Sequence, residues 1–130
     1  MKYHIPKVFT SKTQQTGELG EKIATQFIQS KGFSIIERNF TCRVGEIDIV
    51  AFSHETYYFI EVKTVTREKM EKHDWKPEQN LHAKKIEKMI KTVDFYRYQH
   101  KEVLHMKLML ACVILDQGTK KARVSLETIS

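Results

Sequence analysis

Two strand-like stretches joined by a short connection constrain the fold of this chain most. Residues 46–53 (EIDIVAFS) and 56–65 (TYYFIEVKTV) are rich in β-branched and aromatic side chains, and the connection between them is short enough for a hairpin turn. A turn centred between His54 and Glu55 sets the register of the two strands. A slip of one residue would move every apolar side chain to the opposite face, so the apolar pattern favours this register. The sequence therefore predicts an antiparallel hairpin.

The same register gathers four charged side chains on one face of the hairpin. It places Asp48 opposite Glu61 and Glu46 opposite Lys63, because alternate side chains of a strand share a face. Two like charges about 4 Å apart repel by roughly 4 kcal/mol at an effective dielectric constant of about 20. A cation between Asp48 and Glu61 would offset this repulsion, and a hard divalent cation prefers such oxygen ligands. The alternative is a solvated sheet face with a surface ion pair between Glu46 and Lys63.

The rest of the chain predicts an α/β fold with the element order α-β-β-β-α-β-β. Apolar side chains at helical spacing indicate two helices, and apolar runs bounded by turn residues indicate three more strands. The helices are expected over residues 16–32 and about 77–100, and the further strands over 33–40, 105–116 and 122–129, the last at a sheet edge. A polar stretch over residues 66–80, which contains Trp75, is expected to be a long loop. This order suits a mixed β-sheet flanked by helices.

The length and charge of the chain indicate its domain organisation and the kind of partner that it binds. Residues 1–15 are basic and aperiodic, which predicts a flexible N-terminal arm before a single domain over residues 16–130. Lys and Arg number 22 against 16 Asp and Glu, and the resulting formal charge of +6 suits a polyanionic partner. No stretch is apolar for long enough to span a membrane. Two cysteines, Cys42 and Cys112, predict reduced thiols and a cytoplasmic location.

Four segments occur in order along the chain: GELGEKIATQFIQSKGFSIIERNF, GEIDIVAF, YYFIEVKTVTR and NLHAKKIEKMIKTVDFY. They contain Gly-x-x-Gly-Glu, Gly-Glu-x-Asp and Glu-Val-Lys, and this combination is much more specific than any one of the three. Over roughly residues 17–115 the chain resembles the YraN-like family of small predicted endonucleases. That family is similar to archaeal Holliday-junction resolvases and belongs to the PD-(D/E)xK, restriction-endonuclease-like superfamily. The resemblance implies a restriction-endonuclease-like domain.

The resemblance also implies a set of site residues. When the motifs are matched, the catalytic positions of the family fall on four residues of this chain. These are Glu21 in the first helix, the strand aspartate Asp48, and Glu61 and Lys63 of the Glu-x-Lys motif. It implies that Mg²⁺ or Mn²⁺ is held by Asp48, Glu61 and the carbonyl oxygen of Val62. The activity implied is metal-dependent hydrolysis of DNA phosphodiesters, with branched or junction DNA as a substrate and DNA repair or recombination as the setting.

The second helix carries the residues expected to hold the DNA backbone, namely Lys84, Lys85, Lys88 and Lys91. The lysine that matches the family falls on Lys85, on the core side of the helix beside Met89. An ordinary solvated helix face is the alternative for the other lysines. Two rival functions stay open: a nucleic-acid-binding accessory domain that keeps the nuclease fold without turnover, and a protein-interaction module. The oligomeric state is open as well, with a homodimer compatible with the fold.

Overall fold

A computed structural model describes residues 2–4, 13–67 and 83–130 of the chain. Within these ranges, six strands form one sheet in the order β1-β6-β5-β4-β3-β2. None of the described helices is long and apolar enough to cross a membrane. The elements are β1 (Lys2–His4), α1 (Thr13–Ser30), β2 (Ser34–Thr41), β3 (Glu46–Ser53), β4 (Thr56–Arg67), α2 (Ala83–Gln99), β5 (Met106–Asp116) and β6 (Lys121–Thr128).

The predicted mixed sheet and the order α-β-β-β-α-β-β are confirmed, with one strand added at the start. The added strand, β1, lies inside the predicted N-terminal arm and pairs antiparallel with β6. The prediction that β6 is an edge strand is therefore wrong, because β1 covers its outer side. The last residues of the predicted arm, 13–15, belong to α1, which begins at Thr13. The rest of the arm, the Trp75 loop after Arg67 and the expected start of the second helix lie outside the described residues.

The two helices cover opposite faces of the sheet. In α1, the apolar side chains Ile23, Ala24, Phe27 and Ile28 pack with Ile49, Ile60 and Ala111. In α2, the side chains Met89, Val93 and Tyr96 pack with Phe40, Val50 and Phe59 on the other face. Because β4 and β5 run parallel, the chain must cross over between them, and α2 lies in that crossover. The central strands are therefore buried on both sides, as the apolar run in β5 requires.

The β3–β4 hairpin has the predicted register. Ser53 pairs with Thr56 next to the turn, and Ile49 pairs with Ile60 at the last rung of the ladder. His54 and Glu55 both have positive φ angles, of 49° and 63°, as a type I′ turn requires at its two central positions. The predicted turn between these two residues is confirmed. Beyond Ile49–Ile60 the two strands no longer pair, although each continues as a strand.

Candidate active site

Asp48 lies where β3 and β4 stop pairing. Its side chain takes the place of the next backbone hydrogen bond between the two strands. The backbone N–H of Val62 donates a hydrogen bond of 2.8 Å to Oδ2 of Asp48. Asp48 is only 7% exposed, so this bond forms away from bulk water. A buried carboxyl group thus bridges the two strands at the point where they diverge.

Glu61 lies beside Asp48, as the register argument predicts. Burial is the main cause that raises the pKa of Asp48 to about 8, and the negative charge of Glu61 and a hydrogen bond between the two carboxyl groups raise it further. The N–H of Val62 acts in the opposite direction, because a hydrogen-bond donor favours the charged form. Burial and the neighbouring Glu61 therefore disfavour the charged form of Asp48, and the two carboxyl groups that the register places side by side are in contact.

Lys85 supplies the positive charge next to this pair. Its Nζ lies 2.7 Å from Oε2 of Glu61, whose side chain is only 15% exposed. The sequence placed Lys85 on the core side of α2 but did not identify Glu61 as its partner. The two residues are 24 positions apart, and only the crossover of α2 over the sheet brings them together.

Glu21 reaches the same region from α1, on the other face of the sheet. Burial raises its pKa, the Arg38 guanidinium lowers it, and the nearby charges of Glu46 and Glu61 raise it. The guanidinium Nη2 of Arg38 lies 3.8 Å from Oε1 of Glu21. The preceding residue sets the position of Glu21, because a Cβ atom on Gly20 would overlap the side chain of Thr64 in β4. The absence of a side chain at Gly20 thus lets α1 approach the open end of the hairpin closely.

These side chains line one cleft of about 340 Å³ at the open end of the hairpin. Among the described residues, four carboxyl groups face it, from Glu21, Glu46, Asp48 and Glu61, and α2 closes the opposite wall with Lys85 and Lys88. The structure therefore brings together three of the four predicted catalytic residues, Glu21, Asp48 and Glu61, and adds Glu46 and Lys85 to them.

Lys63, the fourth predicted catalytic residue, lines an adjoining cleft of about 360 Å³. The two clefts share Glu21, Val62 and Lys85 as lining residues. Among the described residues, Lys63 forms no ion pair with Asp48 or Glu61, and the close contact to Glu61 is made by Lys85 instead. Lys63 thus stands next to the carboxylate cluster rather than inside it.

The predicted DNA-binding lysines of α2 divide between two faces of the helix. All four are exposed, but Lys85 and Lys88 line the carboxylate cleft. Lys84, Lys88 and Lys91 line a shallow depression on the outer side, where Lys91 also lies 3.9 Å from Glu87 of the next turn. Lys88 therefore lines both the depression on the outer side of α2 and the carboxylate cleft.

The oxygen ligands in the cleft are of the kind that suits a hard cation, but they are few. Within residues 13–67 and 83–130, no three His, Cys, Asp or Glu side chains are grouped so that they could hold a metal ion. The remaining candidates are the two adjacent carboxyl groups of Asp48 and Glu61, with the backbone of Val62 beside them. Two neighbouring carboxylates and a carbonyl are oxygen ligands of the kind that Mg²⁺ and Mn²⁺ take.

Comparison with other proteins places the chain in a family. The family model described as "Uncharacterised protein family UPF0102" matches residues 20–116. A UPF0102 protein of Campylobacter jejuni subsp. jejuni is 37% identical over 100 residues, which cover 77% of this chain and 84% of the relative. A UPF0102 protein of Campylobacter lari is 38% identical with the same coverage. One of Caldanaerobacter subterraneus subsp. tengcongensis is 50% identical over 50 residues, or 38% of this chain and 41% of the relative. The chain therefore belongs to family UPF0102, the YraN-like family that its motifs resemble.

Proposed function

We propose that this protein is a metal-dependent endonuclease that hydrolyses DNA phosphodiesters. The observation that carries the proposal is the pair of adjacent carboxyl groups, Asp48 and Glu61, held at the point where two strands separate. Proteins rarely bury two like-charged groups side by side without a functional reason, because the repulsion destabilises the fold. The pair faces an open cleft with lysines on its rim, as a site for a polyanionic substrate requires.

In this proposal, Asp48, Glu61 and the carbonyl oxygen of Val62 hold Mg²⁺ or Mn²⁺. The cation supplies Lewis-acid chemistry, which polarises the scissile phosphate and lowers the pKa of an attacking water. Val62 has a second task, because its N–H holds the Asp48 carboxyl group in one orientation. A carboxylate that a buried hydrogen bond already holds in place loses less rotamer freedom when it binds a cation.

The lysines supply positive charge where the phosphate becomes more negative during hydrolysis. Lys63 lies beside the cluster and orients the attacking water while it offsets charge on the phosphate. Lys85 neutralises Glu61 before the substrate arrives, through their 2.7 Å contact. Glu21 accepts a hydrogen bond from a water on the α1 side of the cleft, where the Arg38 guanidinium lies 3.8 Å from its carboxylate.

DNA is held mainly through its backbone. Lys84, Lys88 and Lys91 project from the outer side of α2, and Lys88 continues their line into the cleft. Contacts of this kind neutralise phosphates and carry little base information. Binding should therefore depend strongly on salt and weakly on sequence. Branched or junction DNA in repair or recombination is the substrate class that the family resemblance favours, and two copies of the chain would then act together on one junction.

One observation favours a second candidate, a nucleic-acid-binding accessory domain that does not cleave. The raised pKa of Asp48, which favours its neutral form, and the ammonium group of Lys85 beside Glu61 already offset much of the negative charge in the cleft. A cluster that is neutralised in this way is stable without a cation. In this alternative the basic face of α2 binds DNA, and the carboxyl groups only maintain the shape of the cleft.

A cleavage assay separates the two candidates. The protein is incubated with linear, nicked, flapped and four-way DNA in Mg²⁺ or Mn²⁺, with EDTA as the metal-free control. We expect cleavage of at least one form in metal, none in EDTA, and none by Asp48→Asn. Asp94→Asn is the matched control, because Asp94 is an exposed residue of α2 outside the cleft lining. Binding without cleavage of any form would favour the accessory domain.

A thermal melt tests the metal separately from the chemistry. A ligand that binds only the folded protein stabilises it by RT ln(1 + [L]/Kd), or about 2.7 kcal/mol at a hundred times Kd. We expect Mn²⁺ to raise the melting temperature of the wild type and of Asp94→Asn, but not of Asp48→Asn. Equal melting curves with and without metal, together with the absence of DNA binding, would favour a protein-interaction module.

A further inference from the structure

The adjoining cleft has features of its own that the carboxylate site does not explain. It runs along the open edge of β4 and continues from the carboxylate cleft through Glu21, Val62 and Lys85. The described residues in the rest of its lining carry no acidic side chain: Thr16, Gly17, Lys63, Thr64 and Thr66. Lysines and hydroxyl groups form a lining that suits an anion.

The open edge of β4 carries backbone amides next to the residues that line this cleft. The N–H of Tyr57 bonds to His105 before β5, whereas the N–H of Val62 bonds to Asp48 on the β3 side. Because amides of a strand alternate between its two edges, the N–H groups of Thr64 and Thr66 point to the same side as that of Val62. In the described part of the chain, β3 does not pair with β4 beyond Ile60. Side chains from both faces of β4, such as Lys63 and Thr64, can therefore line one cleft.

Gly17 gives a second, independent indication that a ligand enters this cleft. A Cβ atom on Gly17 would meet no atom of the described residues within 4 Å, in contrast to Gly20, where it would overlap Thr64. Gly17 lies within α1 and its φ angle is not in the left-handed range, so neither packing nor backbone geometry in the described residues requires a glycine. Glycine in a helix is unfavourable by roughly 0.5–1 kcal/mol relative to alanine. A glycine that lines a cleft and is not needed for packing among the described residues leaves that wall of the cleft open to a ligand, with room for a flexible side chain beside it.

We propose that the cleft lined by Gly17, Lys63, Thr64 and Thr66 binds a backbone phosphate of the DNA strand, next to the phosphate that lies in the carboxylate cleft. The strand follows the open edge of β4 past the start of α1. Lys63 stands between the two phosphates, which explains why it lies beside the carboxylate cluster rather than within it. This inference rests on the proposed DNA substrate, but not on cleavage.

The test places charges in the cleft at Gly17, where a side chain has room. Gly17→Glu, Gly17→Gln and Gly17→Lys are compared with Gln29→Glu and Gln29→Lys, which change the charge at an exposed position further along the same helix. Equilibrium binding to fluorescent linear and four-way DNA is measured by anisotropy in EDTA over a series of salt concentrations. Cleavage in Mg²⁺ is measured separately on the same DNA, and thermal melts establish that each variant is folded.

We expect Gly17→Glu to weaken DNA binding by about tenfold or more, since like charges placed against each other at an interface are strongly unfavourable. It should also reduce the slope of log K against log salt by about 0.7–0.9, the loss of one phosphate contact. Gly17→Gln should weaken binding less, Gly17→Lys should strengthen it, and the Gln29 variants should change it by less than about twofold.

The outcomes separate this inference from the proposed function. Equal effects of Gly17→Glu and Gln29→Glu on binding would overturn the phosphate site, even if the wild type cleaves DNA. A selective loss at Gly17→Glu and a gain at Gly17→Lys would support the phosphate site, even if the wild type never cleaves. A folded wild type that binds none of the DNA forms would overturn both.

Discussion

The two ends of the β3–β4 hairpin are built from the same two strands but differ in almost every physical property. At the turn end, the strands pair from Ser53–Thr56 to Ile49–Ile60, and both Phe59 and Ile60 are fully buried. At the open end the backbone pairing stops, the carboxyl group of Asp48 accepts a hydrogen bond from β4 instead, and charged side chains line a cleft. One end buries apolar surface, and the other buries carboxyl groups.

This difference shows how one short hairpin can contain both a rigid apolar core and a charged cleft. The paired end fixes where each strand leaves the ladder, and a single residue, Asp48, then holds the separated strands through Val62. The carboxyl pair at the open end is unfavourable by itself, since burial and like charge both oppose ionisation. The apolar contacts at the paired end compensate for it. The stability of the fold and the chemistry of the site therefore depend on different residues of the same strands.

The largest expected effect is a difference in stability between the two ends. Phe59→Ala should lower the free energy of unfolding by about 3–5 kcal/mol, because it opens a cavity among Val50, Val93 and Tyr96. Thr66→Ala, in the partly exposed part of β4, should change it by no more than about 0.5 kcal/mol. Denaturant unfolding monitored by circular dichroism measures both. Equal losses would mean that the open end contributes to stability as much as the paired end does.

The next effect is in the rate of cleavage and concerns Lys63. Lys63→Met should slow single-turnover cleavage by about 10²–10³, the usual effect of removing one group that stabilises transition-state charge. DNA affinity should fall much less, because one of several backbone contacts is lost. Lys107→Met, which removes the same charge from an exposed position of β5, should leave the cleavage rate unchanged. Cleavage by Lys63→Met at the wild-type rate would show that the catalytic lysine is a different one, with Lys85 the next candidate.

The paired end was predictable from the sequence, because its apolar alternation and short connection allow a single register. The turn at His54 and Glu55, the pairing from Ser53–Thr56 to Ile49–Ile60, and the apolar stripe of α1 all follow from local patterns of this kind. The same register accounts for the proximity of Asp48 and Glu61, one position beyond the last pair. These patterns repeat over a few residues, and each apolar side chain constrains its neighbours. The element order is confirmed for the same reason.

The contacts of the open end were not predictable, because they join residues that are distant in the sequence. The pairs Lys85–Glu61 and Arg38–Glu21 depend on how two helices lie across the sheet, and no local pattern specifies this. The pairing of β1 with β6 has the same origin, since three residues near the start of the chain carry little strand signal of their own. The sequence also suggested that Lys63 was the cation closest to the carboxyl groups, whereas Lys85 makes the contact.

The pH dependence of the free energy of unfolding should show the effect of the buried Asp48 carboxyl group directly. Burial and the charge of Glu61 raise the pKa of Asp48 from its ordinary value of 3.8, which holds in the unfolded chain, to about 8 in the folded protein. Between these values the folded state keeps a proton that the unfolded state has lost. The free energy of unfolding of the metal-free protein should therefore fall as the pH rises from about 4 to 8, with a slope from this group of no more than about 1.4 kcal/mol per pH unit.

This prediction is measured by denaturant unfolding in EDTA at several pH values. Asp48→Asn carries no titrating group at this position, so its stability should vary less with pH over the same range. Asp94→Asn should keep the wild-type dependence, because it leaves Asp48 and Glu61 unchanged and replaces an exposed side chain outside the carboxylate cleft. Parallel curves for the wild type and Asp48→Asn would show that the carboxyl group is not held in its protonated form.

The smallest expected effects distinguish the two glycines of α1 that face the open end. Gly20→Ala should destabilise the protein by about 1–3 kcal/mol, because its methyl group would overlap the side chain of Thr64 and force α1 away from β4. Gly17→Ala should instead stabilise it by about 0.5–1 kcal/mol, since its methyl group meets no described atom and alanine favours the helix. Thr64→Ala should reduce the loss in Gly20→Ala, which a double-mutant cycle in denaturant would measure as a coupling between the two positions. A loss at Gly17 as large as that at Gly20 would mean that both glycines serve packing, and the proposed phosphate site would lose the observation that distinguishes it from an ordinary groove.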